Sequence, residues 1–137
     1  MGERHQASLP YFRRAVSQAP DSWSAHANYS NALHNGAQES RRHLGKDEPA
    51  ARSSVERIGM MRECLRESDL ADSLTAGPAD RAAIAYQRAQ SLQTWGFPIE
   101  ALLEYRRAQA MDSSREDIAK AAHATGNRLA AGGRAEH

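Results

Sequence analysis

The sequence predicts an all-α protein of about six helices that form antiparallel helical hairpins. Alanine supplies much of the 40% of the 137 residues that is apolar, and it loses no side-chain entropy in a helix. Apolar residues recur at helical spacing between short breaks of Pro, Gly, Asp and Ser. No segment alternates apolar and polar residues for long enough to predict a strand. Because the breaks are short, consecutive helices are expected to pack antiparallel.

The first two helices are predicted from a proline, a capping segment and a glycine. Residues 8–19 form the first helix, with Pro10 tolerated in its first turn. Pro20-Asp21-Ser22 ends this helix and caps the second, which covers residues 23–35. Gly36 is expected to close the second helix.

The middle of the chain is predicted to contain a loop and a third helix. Residues 37–49 are polar and are expected to form the loop. Ser53 and Glu56 have capping-box spacing, which predicts a helix over residues 53–65. Its apolar positions at helical spacing are Val55, Ile58, Met61 and Leu65. Residues 66–77 stay open, since Leu70 and Leu74 allow one further turn or two.

Three more helices are predicted in the C-terminal half. Gly77-Pro78 marks a boundary, and Pro78 suits the first turn of a helix over residues 78–94. A turn at residues 95–98 leads to a helix over residues 98–111. Ser113 and Glu116 again have capping-box spacing, so the last helix is placed at residues 115–131. Gly132-Gly133 is expected to end it.

An internal repeat carries a resemblance to a known family. An aromatic residue precedes Arg-Arg-Ala at Phe12 and again at Tyr105. Between Ala82 and Ser113 the chain shows alanines, an aromatic residue and a turn glycine at the spacing of one helix-turn-helix unit. These positions are Ala82, Ala85, Ala89, Leu92, Gly96, Ala101, Tyr105 and Ala108. The segment resembles the tetratricopeptide repeat (TPR), a 34-residue helix-turn-helix.

The resemblance implies a single domain over residues 1–137, in which two to three repeats stack as a short right-handed solenoid. Leu33 and Leu92 occupy equivalent positions but lie 59 residues apart, so about 25 residues exceed the 34-residue period. An irregular insertion is therefore expected near residues 37–77. It either lengthens a helix, covers the groove or makes a specific contact.

Both ends of the chain look unfinished by comparison with this family. The sequence opens on a second helix and closes on a first helix, and a stacked array needs polar caps at its ends. Either the chain is a fragment, or its end helices pack on a partner or on a second copy. A single cysteine fits a reducing compartment, and no secretion signal or membrane-spanning run is visible. A cytoplasmic location is expected.

Composition and motifs argue against catalysis, metal binding and nucleic-acid binding. The formal net charge is only +1, which gives no concentrated positive field. No nucleophile elbow, P-loop or dinucleotide fingerprint occurs, and no Cys/His cluster has zinc-ligand spacing. No cofactor, no metal and no enzyme activity are expected. Cys64 is predicted to be a buried thiol. Aromatic packing between helices is predicted for Phe12, Tyr86, Trp95 and Tyr105.

The resemblance implies that the first helices of the repeats line a concave groove that binds a peptide or helix of a partner protein. The candidate groove residues are Asn28, Asn31, His34, Asn35, Tyr86, Gln87, Gln90, Gln93, Lys120, His123 and Asn127. A clamp for a C-terminal carboxylate is disfavoured, because Ala27 and Ala124 stand where the family has Lys and Arg. The alternative is a structural or regulatory segment of a larger enzyme or membrane assembly that docks through its end helices.

Overall fold

A computed structural model describes residues 4–42, 50–75 and 77–135 of the chain. The described residues form six helices and no strand, which confirms the predicted all-α class. The helices are α1 (Arg4–Gln18), α2 (Trp23–Arg42), α3 (Ala50–Leu74), α4 (Pro78–Thr94), α5 (Pro98–Met111) and α6 (Glu116–Ala135). None of these helices, within the described ranges, is long and apolar enough to cross a bilayer.

The helices belong to two compact units. The first unit (Met1–Leu74) contains α1, α2 and α3, and the second (Thr75–His137) contains α4, α5 and α6. In each unit the middle helix packs against both of its neighbours. In the first unit, α2 and α3 run antiparallel, because His26 contacts Glu67 while Ser30, one turn later, contacts Cys64.

The turn between α1 and α2 forms where the sequence predicts it. The Ser22 hydroxyl accepts a hydrogen bond from the Ala25 backbone N–H at 3.2 Å, which is an N-cap on α2. The start of α1 differs from the prediction, because the helix begins at Arg4 and Pro10 lies inside it. Pro10 is exposed while Leu9 is buried. The packing of Leu9 therefore holds the helix through a position where proline removes a backbone donor.

The predicted end of α2 at Gly36 is wrong, since the helix continues to Arg42. Gly36, Ala37 and Glu39 are all buried. Burial of this last part of the helix outweighs the preference of glycine for a helix end. Residues 37–42 of the predicted loop are thus helical, and residues 43–49 lie outside the described part of the chain.

The third helix is one continuous helix of 25 residues, longer than predicted. It begins at Ala50, so Ser53 lies inside it and the predicted capping box is wrong. The predicted apolar side is also wrong, because Val55 and Ile58 are 71% and 44% exposed. The buried side shows helical spacing and consists of Cys64, Glu67, Ser68 and Ala71. Within residues 37–77, where the sequence predicts an irregular insertion, the described residues 37–42 belong to α2 and residues 50–74 to α3.

The second unit follows the sequence more closely. Helices α4 and α5 have the predicted bounds. The turn between them is closed by Gly96, whose φ is +89°. The Phe97 N–H donates to the Leu92 carbonyl at 2.8 Å, and the Gly96 N–H donates to the Gln93 carbonyl at 3.2 Å. This pair of bonds is a Schellman motif, which requires a left-handed residue at the glycine position.

Alanine is the most frequent buried residue type among the described residues of the second unit. Ala82 and Ala85 of α4 cluster with Ala108 of α5 and Ile118 of α6, and Tyr86 and Met111 pack against this cluster. The small side chains let the helix backbones approach closely.

Helix α6 differs from the prediction at both ends. It begins at Glu116 and continues through Gly132-Gly133 to Ala135. The predicted capping box at Ser113 is therefore wrong, because Ser113 stands outside the cap position. The two glycines also fail to end the helix, which shows that consecutive glycines lower helix stability without preventing a helix.

Candidate partner-binding surfaces

The first candidate surface is a hollow between α1 and α2 in the first unit. Its volume is about 250 Å³. The hollow is lined by Ser8, Phe12, Asn28, Asn31, Ala32 and Asn35. Three of these residues, the asparagines, belong to the predicted groove set. Their spacing of three and four residues puts them on one side of α2. The structure therefore brings together Asn28, Asn31 and Asn35 around a partly apolar floor.

His34 lies on α2 but does not line this hollow. The side chain is only partly exposed. Burial lowers the pKa of His34 below its usual value, because the imidazolium form loses hydration. His34 is therefore neutral at pH 7.

A layer of polar contacts, partly buried, joins α2 to its two neighbours in the first unit. The Tyr29 hydroxyl accepts a hydrogen bond from Arg13 Nε of α1 at 3.1 Å and donates one to the Glu63 carboxylate of α3. Burial, and then the bond to Glu63, raises the pKa of Tyr29 above its usual value, so the phenol keeps the proton that it donates. A single side chain thus connects all three helices of the first unit.

His26 makes a second connection in the same layer. Its Nδ1 lies 2.5 Å from Glu67 Oε2, and its Nε2 lies 2.7 Å from the Pro20 carbonyl oxygen. A carbonyl oxygen only accepts, so Nε2 carries a proton, and the Nδ1–Oε2 contact holds another. Both side chains are about 5% exposed. The pair is sealed from solvent, and it fixes α3 to the turn that precedes α2.

Ser30 and Cys64 complete the layer. The Ser30 hydroxyl donates to the Cys64 carbonyl at 2.9 Å and lies 3.3 Å from Cys64 Sγ. Cys64 is 2% exposed, which confirms the predicted buried thiol. Sequence analysis missed the interhelical contacts of His26, Glu63 and Glu67, because their partners lie more than 30 positions away.

The predicted groove residues of α4 have different environments. The Tyr86 ring contacts the Tyr105 ring at 5.7 Å and lies under the Arg115 guanidinium at 5.3 Å. Gln93 accepts a hydrogen bond from the Tyr105 hydroxyl at 2.7 Å and contacts Thr125 at 3.4 Å. Tyr86 and Gln93 thus connect helices of the second unit. Their neighbour Gln90 is exposed.

Gln87 differs from the other amides of α4. Its Nε2 is buried and has no hydrogen-bond partner among the described residues. An unpaired buried amide donor is unfavourable, and an added acceptor would relieve it.

The second candidate surface is a hollow between α5 and α6, with a volume of about 350 Å³. Its lining consists of Arg106, Gln109, Ala119, Ala122, His123, Gly126 and Asn127. Two of these residues, His123 and Asn127, were predicted, and they contact each other at 3.2 Å between Nε2 and Nδ2. Lys120 is exposed on α6 and does not line the hollow.

Arg106 and Gln109 were missed by the sequence analysis. The family resemblance directs attention to the first helix of each repeat, and both residues lie on a second helix. The sequence signal at this position is the Arg-Arg doublet of α5, whose two members point in different directions on a helix.

These surfaces present amides, one guanidinium, the Ser8 hydroxyl, the His123 imidazole and apolar side chains. Within the described ranges, no three His, Cys, Asp or Glu side chains come together as a metal site would require. Neither the protein-family models nor the curated proteins contain a match for this chain.

Proposed function

We propose that this chain is a non-catalytic protein-interaction module of tetratricopeptide-repeat type, which binds a peptide or helix of a partner protein. In this proposal the hairpins stack as a short right-handed solenoid. The agreement of α4 and α5 with the repeat spacing supports it. So does the burial of the repeat alanines Ala82, Ala89 and Ala101, which are all 0% exposed.

The observation that carries the binding function is the row of three asparagines at the hollow between α1 and α2. Asn28 and Asn31 are exposed, and Asn35 is partly exposed. An amide side chain offers both a donor and an acceptor, which matches the carbonyl and N–H groups of a peptide backbone. The floor formed by Phe12 and Ala32 gives an apolar side chain of the peptide a place to be buried.

A selection of random displayed peptides on the intact chain tests this proposal directly. We expect enrichment of peptides that bind saturably. Asn31→Glu should weaken their binding by about tenfold or more, since a carboxylate removes the amide donor and repels peptide carbonyls. Gln18→Glu is the matched control, because Gln18 is exposed on α1 and does not line the hollow with the asparagines.

Failure to enrich any peptide would contradict the proposal. Unchanged affinity in Asn31→Glu would show that the hollow lined by the asparagines does not bind the peptides. Size measurement of the intact chain adds a further test, since a monomer is expected for groove binding. Self-association alone would favour docking through the end helices instead.

A further inference from the structure

The hollow between α5 and α6 is lined by groups that suit an anion. Arg106 contributes a guanidinium, Gln109 and Asn127 contribute amides, and no carboxylate lines the hollow. Asn127 and His123 already contact each other, which holds two of the lining side chains in place. A guanidinium beside amide donors matches the two oxygens of a carboxylate.

Arg106 differs from the other arginines around α5 in having no ion-pair partner among the described residues. Arg88 and Arg107 both approach Glu104 Oε2, at 4.0 and 3.3 Å. Arg115 pairs with Asp117 at 2.6 Å. The guanidinium of Arg106 is exposed at the edge of the hollow and is available to an external carboxylate.

Two large apolar side chains precede Arg106 on the same side of α5. Ile99 and Leu103 are 62% and 61% exposed. Their spacing to each other is four residues, and Leu103 lies three residues before Arg106, so the three side chains follow one helix face. Neighbouring exposed apolar side chains beside polar ones are typical of an interaction surface.

We propose that this face of α5 docks an amphipathic helix of a partner protein, with a carboxylate of that helix in the α5–α6 hollow. The face extends about 10 Å from Ile99 to Arg106, at 1.5 Å per residue. A partner helix with two apolar residues four apart, and an acidic residue three further on, displays complementary groups over the same length. The inference rests on the proposed function and names the partner's chemistry.

Synthetic peptides on the intact chain test this inference by fluorescence anisotropy. The probes are helical peptides with two leucines four residues apart and a glutamate three residues beyond them, made in both sequence orders. Each has a counterpart in which glutamine replaces the glutamate. We expect one order of the glutamate peptide to bind saturably, about tenfold more tightly than its glutamine counterpart.

Arg106→Gln should reduce the affinity for the glutamate peptide to that for the glutamine peptide, and should leave the glutamine peptide unaffected. This pattern defines a double-mutant cycle for the Arg106–carboxylate contact. Leu103→Ser should weaken the binding of both the glutamate and the glutamine peptide. The matched control is Arg62→Gln, which removes an exposed arginine of α3 and should change neither affinity. Unfolding curves establish that each variant is folded.

Equal binding of the glutamate and glutamine peptides, or full affinity in Arg106→Gln, would overturn the inference. The inference would also be overturned if the glutamate peptides of both sequence orders failed to bind. The proposed function would survive these results if displayed peptides were still selected and still lost affinity in Asn31→Glu. A selection that yields no peptide overturns both.

Discussion

The two units differ in what their interiors are made of. The first unit buries polar and ionisable side chains, including His26, Ser30, Glu39 and Glu67. In the second unit, the polar side chains buried among the described residues are Ser91 and Thr125, and six of the eleven buried apolar residues are alanines. A buried ionic pair adds little net stability, because desolvation offsets its attraction, but removal of one partner is severe. The free energy of unfolding of the first unit should therefore fall when one side chain of a buried polar pair is removed. That of the second unit should fall when a buried alanine is replaced by a larger residue.

The largest expected effect is on the His26–Glu67 pair. His26→Ala leaves the Glu67 carboxylate buried without its partner, which should lower the free energy of unfolding of the first unit by about 3–5 kcal/mol. Denaturant unfolding followed by a probe in this unit measures the change. The double variant His26→Leu/Glu67→Leu should recover most of the loss, because neither polar group is then left buried without its partner. A loss below about 1 kcal/mol in His26→Ala would contradict a buried pair.

The alanine interior of the second unit should be intolerant of added volume. Ala85→Leu inserts three carbons at a position that is 1% exposed, and overpacking should cost about 1–3 kcal/mol of unfolding free energy. Ala83→Leu, on the exposed side of the same helix, is the matched control and should be close to neutral. If both variants unfold at the same denaturant concentration, the close packing of α4 described above is wrong.

Two glycine substitutions should change stability in opposite directions. Gly96 has φ +89°, so Gly96→Ala should destabilise the second unit by about 1–2 kcal/mol although its Cβ meets no atom. Gly59 lies inside α3, and a Cβ there also meets nothing within 4 Å. Gly59→Ala should stabilise the first unit by about 0.5–1 kcal/mol. Thermal unfolding of the two variants measures both changes in stability. A loss of stability in Gly59→Ala would show that α3 is not a regular helix at this position.

The smallest effect concerns pH and His34 in the first unit. Burial lowers the pKa of His34, so the unfolded chain binds a proton more readily than the folded chain. The stability that neutral, buried His34 contributes is therefore complete above the usual pKa of about 6.5. It is lost as the pH falls toward the pKa of His34 in the folded state. His34→Gln should narrow the difference in melting temperature between pH 7.5 and pH 5.5. An unchanged difference would place His34 in solvent.

Sequence patterns predicted the second unit better than the first for a physical reason. Local signals define α4 and α5: Pro78 and Pro98 at the helix starts, and Gly96 in the turn between them. These signals act through backbone dihedral angles and neighbouring donors, so they are visible within a few residues. Tyr105 and Trp95, expected to pack between helices, are 2% and 8% exposed.

The same approach failed in the first unit because its decisive contacts are distant in sequence. Apolar periodicity placed Val55 and Ile58 on the inner side of α3, yet Glu67 and Cys64 lie there. Burial of a glutamate can be predicted only when its partner is known, because an unpaired buried carboxylate is costly. The partner of Glu67 is His26, which lies 41 positions away in the sequence. Gly36 likewise predicted a helix end that the burial of Ala37 and Glu39 overrides.

For the candidate surfaces, the sequence indicated which residues could bind a partner. The structure then showed which of them line a hollow and which contact other helices. The three asparagines of α2 were predicted from the family resemblance, and all three line one hollow. Tyr86 and Gln93 were found by the same reasoning but contact other helices. Glu104 pairs with Arg107, which lies three residues later on the same helix, and Arg106 is exposed at the α5–α6 hollow.

The sequence by itself determined the all-helical class, the two hairpin turns at Ser22 and Gly96, and the alanine interior, because each depends on backbone preference and helical period. Tertiary structure decided which side of α3 is buried, where α2 ends, and which polar side chains remain available to a partner. Those outcomes depend on pairing between groups far apart along the chain, and no local preference encodes such pairing.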